Sequence, residues 1–161
     1  MPRKKLMDVN ANIWKRIAAF AADLLIINIV IIFPFQEILS RLLPQGLSMS
    51  ETQSFVQANP ETMSLISAIV VTIGILALFY FTVLESKFGQ TVGKMLFKLT
   101  IVSDTGKLTF WQCLVRNLFW LLFSPFIFLW IVDPLYMLFN TENRRLTEML
   151  TKTKVVEKVM I

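Results

Sequence analysis

The stretch IWKRIAAFAADLLIINIVIIFPF, Ile13 to Phe35, decides the fold. A helix needs about 20 largely apolar residues to cross the hydrocarbon core of a bilayer, and this stretch supplies them. Three charges interrupt it: Lys15 and Arg16 at its start, and Asp23 within it. Arg16 and Asp23 are seven positions apart, so a helix turns about 700° between them and they share one face, about 10 Å apart along the axis. Arg16 can snorkel to the headgroups. Asp23 falls near the bilayer midplane, where an ionisable group costs several kcal/mol unless it is paired or protonated. It must therefore face the interior of a helix bundle and have a partner or a function. The A-x-A match at Ala19–Ala21 opens the apolar run, where signal cleavage makes no sense, so the stretch reads as a retained first span that Pro34 helps to end.

Outward from it, 36–62 is mixed and polar, with Pro44-Gln45-Gly46 as a break. Gln36–Leu43 suits a short interfacial helix, and Glu51–Ala58 another turn or two. Met63–Leu84 is an uncharged second span that stops at Glu85. The loop 85–110 carries Lys87, Lys94, Lys98 and Lys107. Within it, Leu99-Thr100-Ile101-Val102, the turn Asp104-Thr105-Gly106 and Lys107-Leu108-Thr109-Phe110 read as a β-hairpin. Residues 111–139 are apolar except for Gln112, Arg116, Asn117 and Asp133, and are split by Ser124-Pro125 and Pro134. One tilted span or a two-helix hairpin fits. In the polar tail, 140–161, Thr153–Val159 reads as a strand.

The distribution of basic residues chooses between those two options. Arg3, Lys4, Lys5, Lys15 and Arg16 mark the N-terminus, four lysines mark the middle loop, and Arg144, Arg145, Lys152, Lys154 and Lys158 mark the tail. The loop 36–62 has only Arg41. Both termini and the loop 85–110 are therefore expected on the cytoplasmic side, which requires 111–139 to enter and return. The expected fold is an all-α, multi-pass integral membrane protein of the cell membrane. It has two full transmembrane helices (13–35, 63–84) plus a proline-broken helical hairpin (111–123, 126–139). Each arm is about 14 residues, roughly 21 Å. The same topology brings the tail strand beside the hairpin of the middle loop, forming a small cytoplasmic β element.

Composition agrees. Of 161 residues 55% are apolar and 17% charged, and mean hydropathy is +0.63, too much apolar surface for one soluble core. The net charge of +5 reads as basic loops gripping anionic headgroups, not as a nucleic-acid surface. There is no histidine, which removes His-based triads and most transition-metal sites. The single cysteine, Cys113, reads as packing. No metal, cofactor or enzymatic activity is expected.

Asp133 repeats the argument made for Asp23, and Pro134 beside it frees a backbone carbonyl one turn earlier. Broken helices with free carbonyls and a carboxylate hold cations in membrane proteins. Asp23 and Asp133 are thus the candidate ion or proton sites. Arg116, with Arg16 as the weaker choice, is the candidate charge partner, expected beside one of them. Asn28 and Asn117 could join such a network. Gly89-Gln90-Thr91-Val92-Gly93-Lys94-Met95 imitates a phosphate loop but is one residue short and lacks the Ser/Thr.

These residues resemble the RDD family, named for one arginine and two aspartates in membrane segments. Trp14-Lys15-Arg16-Ile17-Ala18-Ala19-Phe20-Ala21-Ala22-Asp23 is similar to its first-helix pattern. Gln90–Leu96, Ile101-Val102 and Gly106 resemble its middle loop, Arg116-Asn117 the start of its next helix, and Arg144-Arg145-Leu146, Leu150 and Thr153–Val156 its tail. The likeness spans Trp14 to Val156. The chain departs from it at Val92, where proline is frequent, at Lys98 and Lys152, where glycine is frequent, and at Thr147-Glu148, where a His-Asp pair is frequent. The family's second aspartate maps to Asp133 or to the position of Glu148, with Asp133 favoured. The resemblance implies transport, with exchange of monovalent cations for protons in some members.

Two functions follow as expectations. In one, the chain is a transporter or transporter subunit, acting as a homo-oligomer or within a larger complex in the bilayer. In it, Asp23 and Asp133 face a common cavity. In the other it is a non-transporting scaffold or assembly factor whose charges form structural salt bridges.

Overall fold

The computed structural model describes residues 6–44, 46–121, 128–140 and 143–160. Asn12 caps the first helix by accepting the Trp14 N–H at 2.9 Å. Helix α1 (Ile13–Ile27) passes into a π-helical turn (Asn28–Ile32) and then α2 (Phe33–Leu42). Pro34 does not end this run. A proline inside an α-helix clashes with the carbonyl four residues back. Here the backbone is widened just before it, with the Phe33 N–H bonded to the Asn28 carbonyl five residues back. The helical run therefore continues 30 residues to Leu42.

Helix α3 (Met49–Ala58) starts at a Ser48/Glu51 capping box. Helix α4 (Pro60–Phe88) is 29 residues long, reaching past both expected ends, and stops at Gly89, whose φ of 69° only glycine adopts freely. Only 22% and 28% of the most apolar windows of the two long helical runs are buried inside the protein. A core helix of a soluble protein would be mostly covered. Instead Leu25, Ile29, Val30, Phe33 and Phe79 are exposed, as lipid-facing residues are.

The segment 111–139 is divided. Helix α6 (Phe110–Arg116) and a 3-10 turn (Leu118–Trp120) precede α7 (Leu129–Phe139), which contains Pro134. The expected break at Ser124-Pro125 lies outside the described residues. One apolar core joins Ile27 and Ile31 to Ala77, Leu78, Phe81, Phe119 and Trp120. Gly74 lets the Trp120 backbone approach α4, since a Cβ there would meet its carbonyl oxygen at 2.8 Å.

A three-stranded antiparallel sheet, β1 (Leu6–Asn10), β2 (Leu99–Ser103) and β3 (Thr153–Met160), has the order β1-β3-β2. The expected hairpin within the middle loop is not its basis. Asp104-Thr105-Gly106 turns the chain, but Thr109 and Gln112 then form a capping box that starts α6, so 107–110 is not a strand. The third strand comes from the N-terminus instead. Ala11, Ala19, Leu99, Ile101 and Val155 pack as a second core between sheet and α1.

Two elements of this layer have the same build. Helix α5 (Val92–Leu96) leads through Lys98 into β2, and α8 (Leu146–Leu150) leads through Lys152 into β3. Met95-Leu96-Phe97-Lys98 answers Met149-Leu150-Thr151-Lys152. Both lysines are left-handed, with φ of 56° and 51°, and each donates its N–H to the preceding methionine carbonyl, at 3.2 and 3.1 Å. In the β2–β3 register Ile101 faces Val155, Leu99 faces Glu157 and Ser103 faces Thr153. Equivalent positions thus pair about a local two-fold axis through Ile101 and Val155. The left-handed region costs a side chain about 1–2 kcal/mol, and glycine escapes it while giving back part in unfolded-state entropy. Lys98→Gly and Lys152→Gly should each stabilise the protein by roughly 0.5–1 kcal/mol. A lower unfolding midpoint in either variant would show that the lysine side chain contributes more than its backbone strain costs.

Candidate functional site: a paired charge network around one cavity

Asp23 and Asp133 each hold the start of one of these short helices. Asp23, on α1 and 1% exposed, accepts the Gly93 N–H at 2.8 Å, the Thr91 hydroxyl at 2.5 Å and the Tyr80 hydroxyl at 3.0 Å. Gly93 is required for this. A Cβ there would lie 2.1 Å from the Ala19 carbonyl oxygen. Asp133, on α7 and 2% exposed, accepts the Thr147 N–H at 2.7 Å and the Thr147 hydroxyl at 3.1 Å. Gly93 and Thr147 occupy the same place in α5 and α8, so Asp23 and Asp133 are equivalent in what they hold.

Between the two lies a cluster of ionic side chains. Glu148 Oε1 accepts from Arg16, from Arg145 Nε at 3.1 Å and from Arg116 Nη2 at 3.3 Å. Arg116, fully buried, also donates to the Thr153 hydroxyl and lies 3.5 Å from Glu85. Glu85, on α4, is held further by Lys94 and by Asn117 Nδ2 at 2.9 Å. Arg145 links the groups, with Asp133 3.8 Å away. Arg16 also donates to the Asn143 carbonyl. Burial would raise the Glu148 carboxyl, but the guanidinium groups of Arg145, Arg116 and Arg16 hold it well below its ordinary value. Burial pulls the Lys94 ammonium down, against the opposing pull of Glu85.

The expected pairing of Arg116 with Asp23 or Asp133 is not what the structure contains. Arg116 reaches Glu85 and Glu148, Arg16 also reaches Glu148, and Asp133 has Arg145. Among the described residues Asp23 forms no ion pair and is satisfied by neutral donors. Asn117 does join the network, whereas Asn28 is exposed. Glu85, Lys94 and Arg145 are not among the site residues expected from the sequence, because charges at span ends ordinarily meet water, and Glu148 enters there only as the alternative position of the family's second aspartate. The repeated Met-Leu-x-Lys pattern was the available signal: it places Thr91 and Arg145, Gly93 and Thr147, Lys94 and Glu148 at matching positions. The choice between Asp133 and Glu148 also loses its edge, since both are buried and share Arg145.

A cavity of about 270 Å³ lies against this network. Asp23, Glu85, Asp133, Arg16, Lys94 and Arg145 line it together with Phe20, Phe81, Phe119 and Trp130. Both aspartates therefore face one space. No cluster of potential metal ligands occurs among the described residues.

The sequence profile of the RDD family matches residues 10–152, most of the chain. The chain belongs to the RDD family. RDD proteins are membrane proteins, in keeping with the two long apolar helices. Neither a curated protein nor a solved structure matches this RDD chain. In it Arg16, Asp23 and Asp133 sit around one cavity, with Arg16 on the same helix face as Asp23 and joined through Glu148 and Arg145 to Asp133.

Proposed function

We propose that this RDD protein is a multi-pass cell-membrane transporter or transporter subunit, not an enzyme, and that it exchanges monovalent cations with protons through Asp23 and Asp133. The observation that carries this reading is that both carboxylates line one cavity between apolar helices. In the working protein each carboxylate gives up its hold on a helix start when it takes a proton or a cation. The two short helices, α5 and α8, then shift with the occupancy of the site.

The sheet supports the topology. Residues 6–10, 99–103 and 153–160 belong to one sheet, so the N-terminus, middle loop and tail lie on the same side of the bundle, the cytoplasmic side by their charge. Gln112 donates to the Thr151 carbonyl at 2.9 Å and Asp133 holds α8, so both ends of 110–139 approach that layer, as a re-entrant segment does. The bundle is thin, and the functional unit is a homo-oligomer or larger complex in the bilayer.

A second reading has its own observation. Every carboxylate of the network is already partnered: Asp23 by neutral donors, and Glu85, Asp133 and Glu148 by Arg16, Lys94, Arg116 and Arg145. A scaffold with locked salt bridges needs no more than that. Flux in reconstituted vesicles separates the two. With Asp23→Asn or Asp133→Asn, cation-driven proton movement should fall at least about tenfold while folded yield persists. Wild-type vesicles that pass no more Na⁺, K⁺ or H⁺ than empty ones leave the scaffold reading standing.

A further inference from the structure

The same cavity has a property that ion handling does not use: carbon makes up most of its wall, beside the ionic side chains already named. Phe20, Phe81, Phe119, Leu129, Trp130 and Met137 line it. Phe119 and Trp130 meet edge to face at 5.9 Å between centroids, and Trp120 stands behind them, stacked on Phe81 at 5.2 Å. The polar groups at its edge already have partners: Asp23 has Thr91, Gly93 and Tyr80, Glu85 has Lys94 and Asn117, and Asp133 has Thr147.

Charge decides which class of molecule fits. An ion lodging against the Lys94–Glu85 or Arg145–Asp133 pair must displace one member and leave another charge bare, which is strongly unfavourable, and Asp23 is the one carboxylate on the wall with neutral donors alone among the described residues. An uncharged molecule displaces nothing and covers aromatic and aliphatic wall. An apolar cavity of about 150 Å³ stays dry and takes up benzene, so about 270 Å³ suits a body nearly twice that size. We propose that this cavity is a binding site for an uncharged lipophilic molecule of roughly a dozen non-hydrogen atoms. Bilayers concentrate such molecules. The proposal does not rest on ion exchange, and a chain that moves no ions can still have this site.

The test uses the full chain in lipid nanodiscs with p-xylene as probe, following thermal unfolding by tryptophan fluorescence. A saturable rise of about 3–5 °C is expected. Leu129→Trp, which fills the space, should abolish it, and Met137→Phe serves the same purpose should the larger substitution prevent folding. An equal rise in wild type and filled variant would mean that p-xylene acts through the lipid, and overturns the proposal. So does the absence of any rise. Saturable stabilisation by tetraethylammonium but not p-xylene would assign the cavity to cations instead and overturn it equally.

Discussion

Gly93→Ala should leave little folded protein. Its Cβ would lie 2.1 Å from the Ala19 carbonyl oxygen and 2.8 Å from the Asp23 carboxyl, contacts that no real Cβ makes. One obstacle is helix backbone and the other is a buried carboxylate held by three donors, so neither can yield. Overpacking alone costs about 1–3 kcal/mol, and separating α5 from α1 also removes a hydrogen bond to a charged acceptor, worth about 1.5–3 kcal/mol. A loss of about 3–5 kcal/mol follows. Size-exclusion profiles and thermal unfolding in detergent read this directly, with Val92→Ala, one residue away and exposed, as control. A Gly93→Ala chain that unfolds at the wild-type temperature would mean that α5 does not rest on α1.

Glu148→Gln is the second large effect. Arg16, Arg116 and Arg145 all converge on this one carboxylate. Arg145 retains Asp133 and Arg116 retains Glu85, but among the described residues Arg16 keeps only the Asn143 carbonyl. Uncovering buried positive charge in this way costs about 3–5 kcal/mol. Removing one arginine as well, as in Glu148→Gln with Arg16→Gln, should return part of that loss. The pH dependence has a fixed sign. The folded carboxyl lies below its ordinary value of 4.5, so its stabilisation is complete above that value and is lost as pH falls through the folded pKa. The stability gap between wild type and variant should stay constant from about pH 6 to 8 and close only in acid. A gap that closes on the alkaline side would point to the lysine, not to Glu148.

These effects rest on residues of unequal legibility. The two long spans stand out because bilayer thickness sets a length that few soluble helices reach. Asp23 and Asp133 stand out because a carboxylate in apolar sequence has no cheap explanation. Their partners do not, since a backbone N–H from Gly93 or Thr147 and a threonine hydroxyl leave no mark in composition. Glu148 and Arg145 hide for the opposite reason, lying among polar neighbours where charge is ordinary. The helix through Pro34 was unreadable because it depends on a π turn, which no residue pattern announces. The sheet differs from its expected form at two strands: Thr109 and Gln112 form a helix cap where the hairpin arm is expected, and Leu6–Asn10, a stretch with no strand expected in it, pairs with β3 instead.

The local two-fold that relates α5–β2 to α8–β3 is broken at one place that matters. Immediately after the residues that hold Asp23 and Asp133, one unit carries Lys94 and the other Glu148. In a symmetric dimer, equivalent positions carry identical residues, and their charges are equal. Here the sign is inverted across the axis, so the potential around the cavity has an antisymmetric component that no homodimer of either unit could possess. The two halves of the network beside the cavity are not interchangeable: one holds a lysine bound to Glu85, the other a glutamate bound by three arginines. The wall of the cavity therefore has a polarity written into the fold.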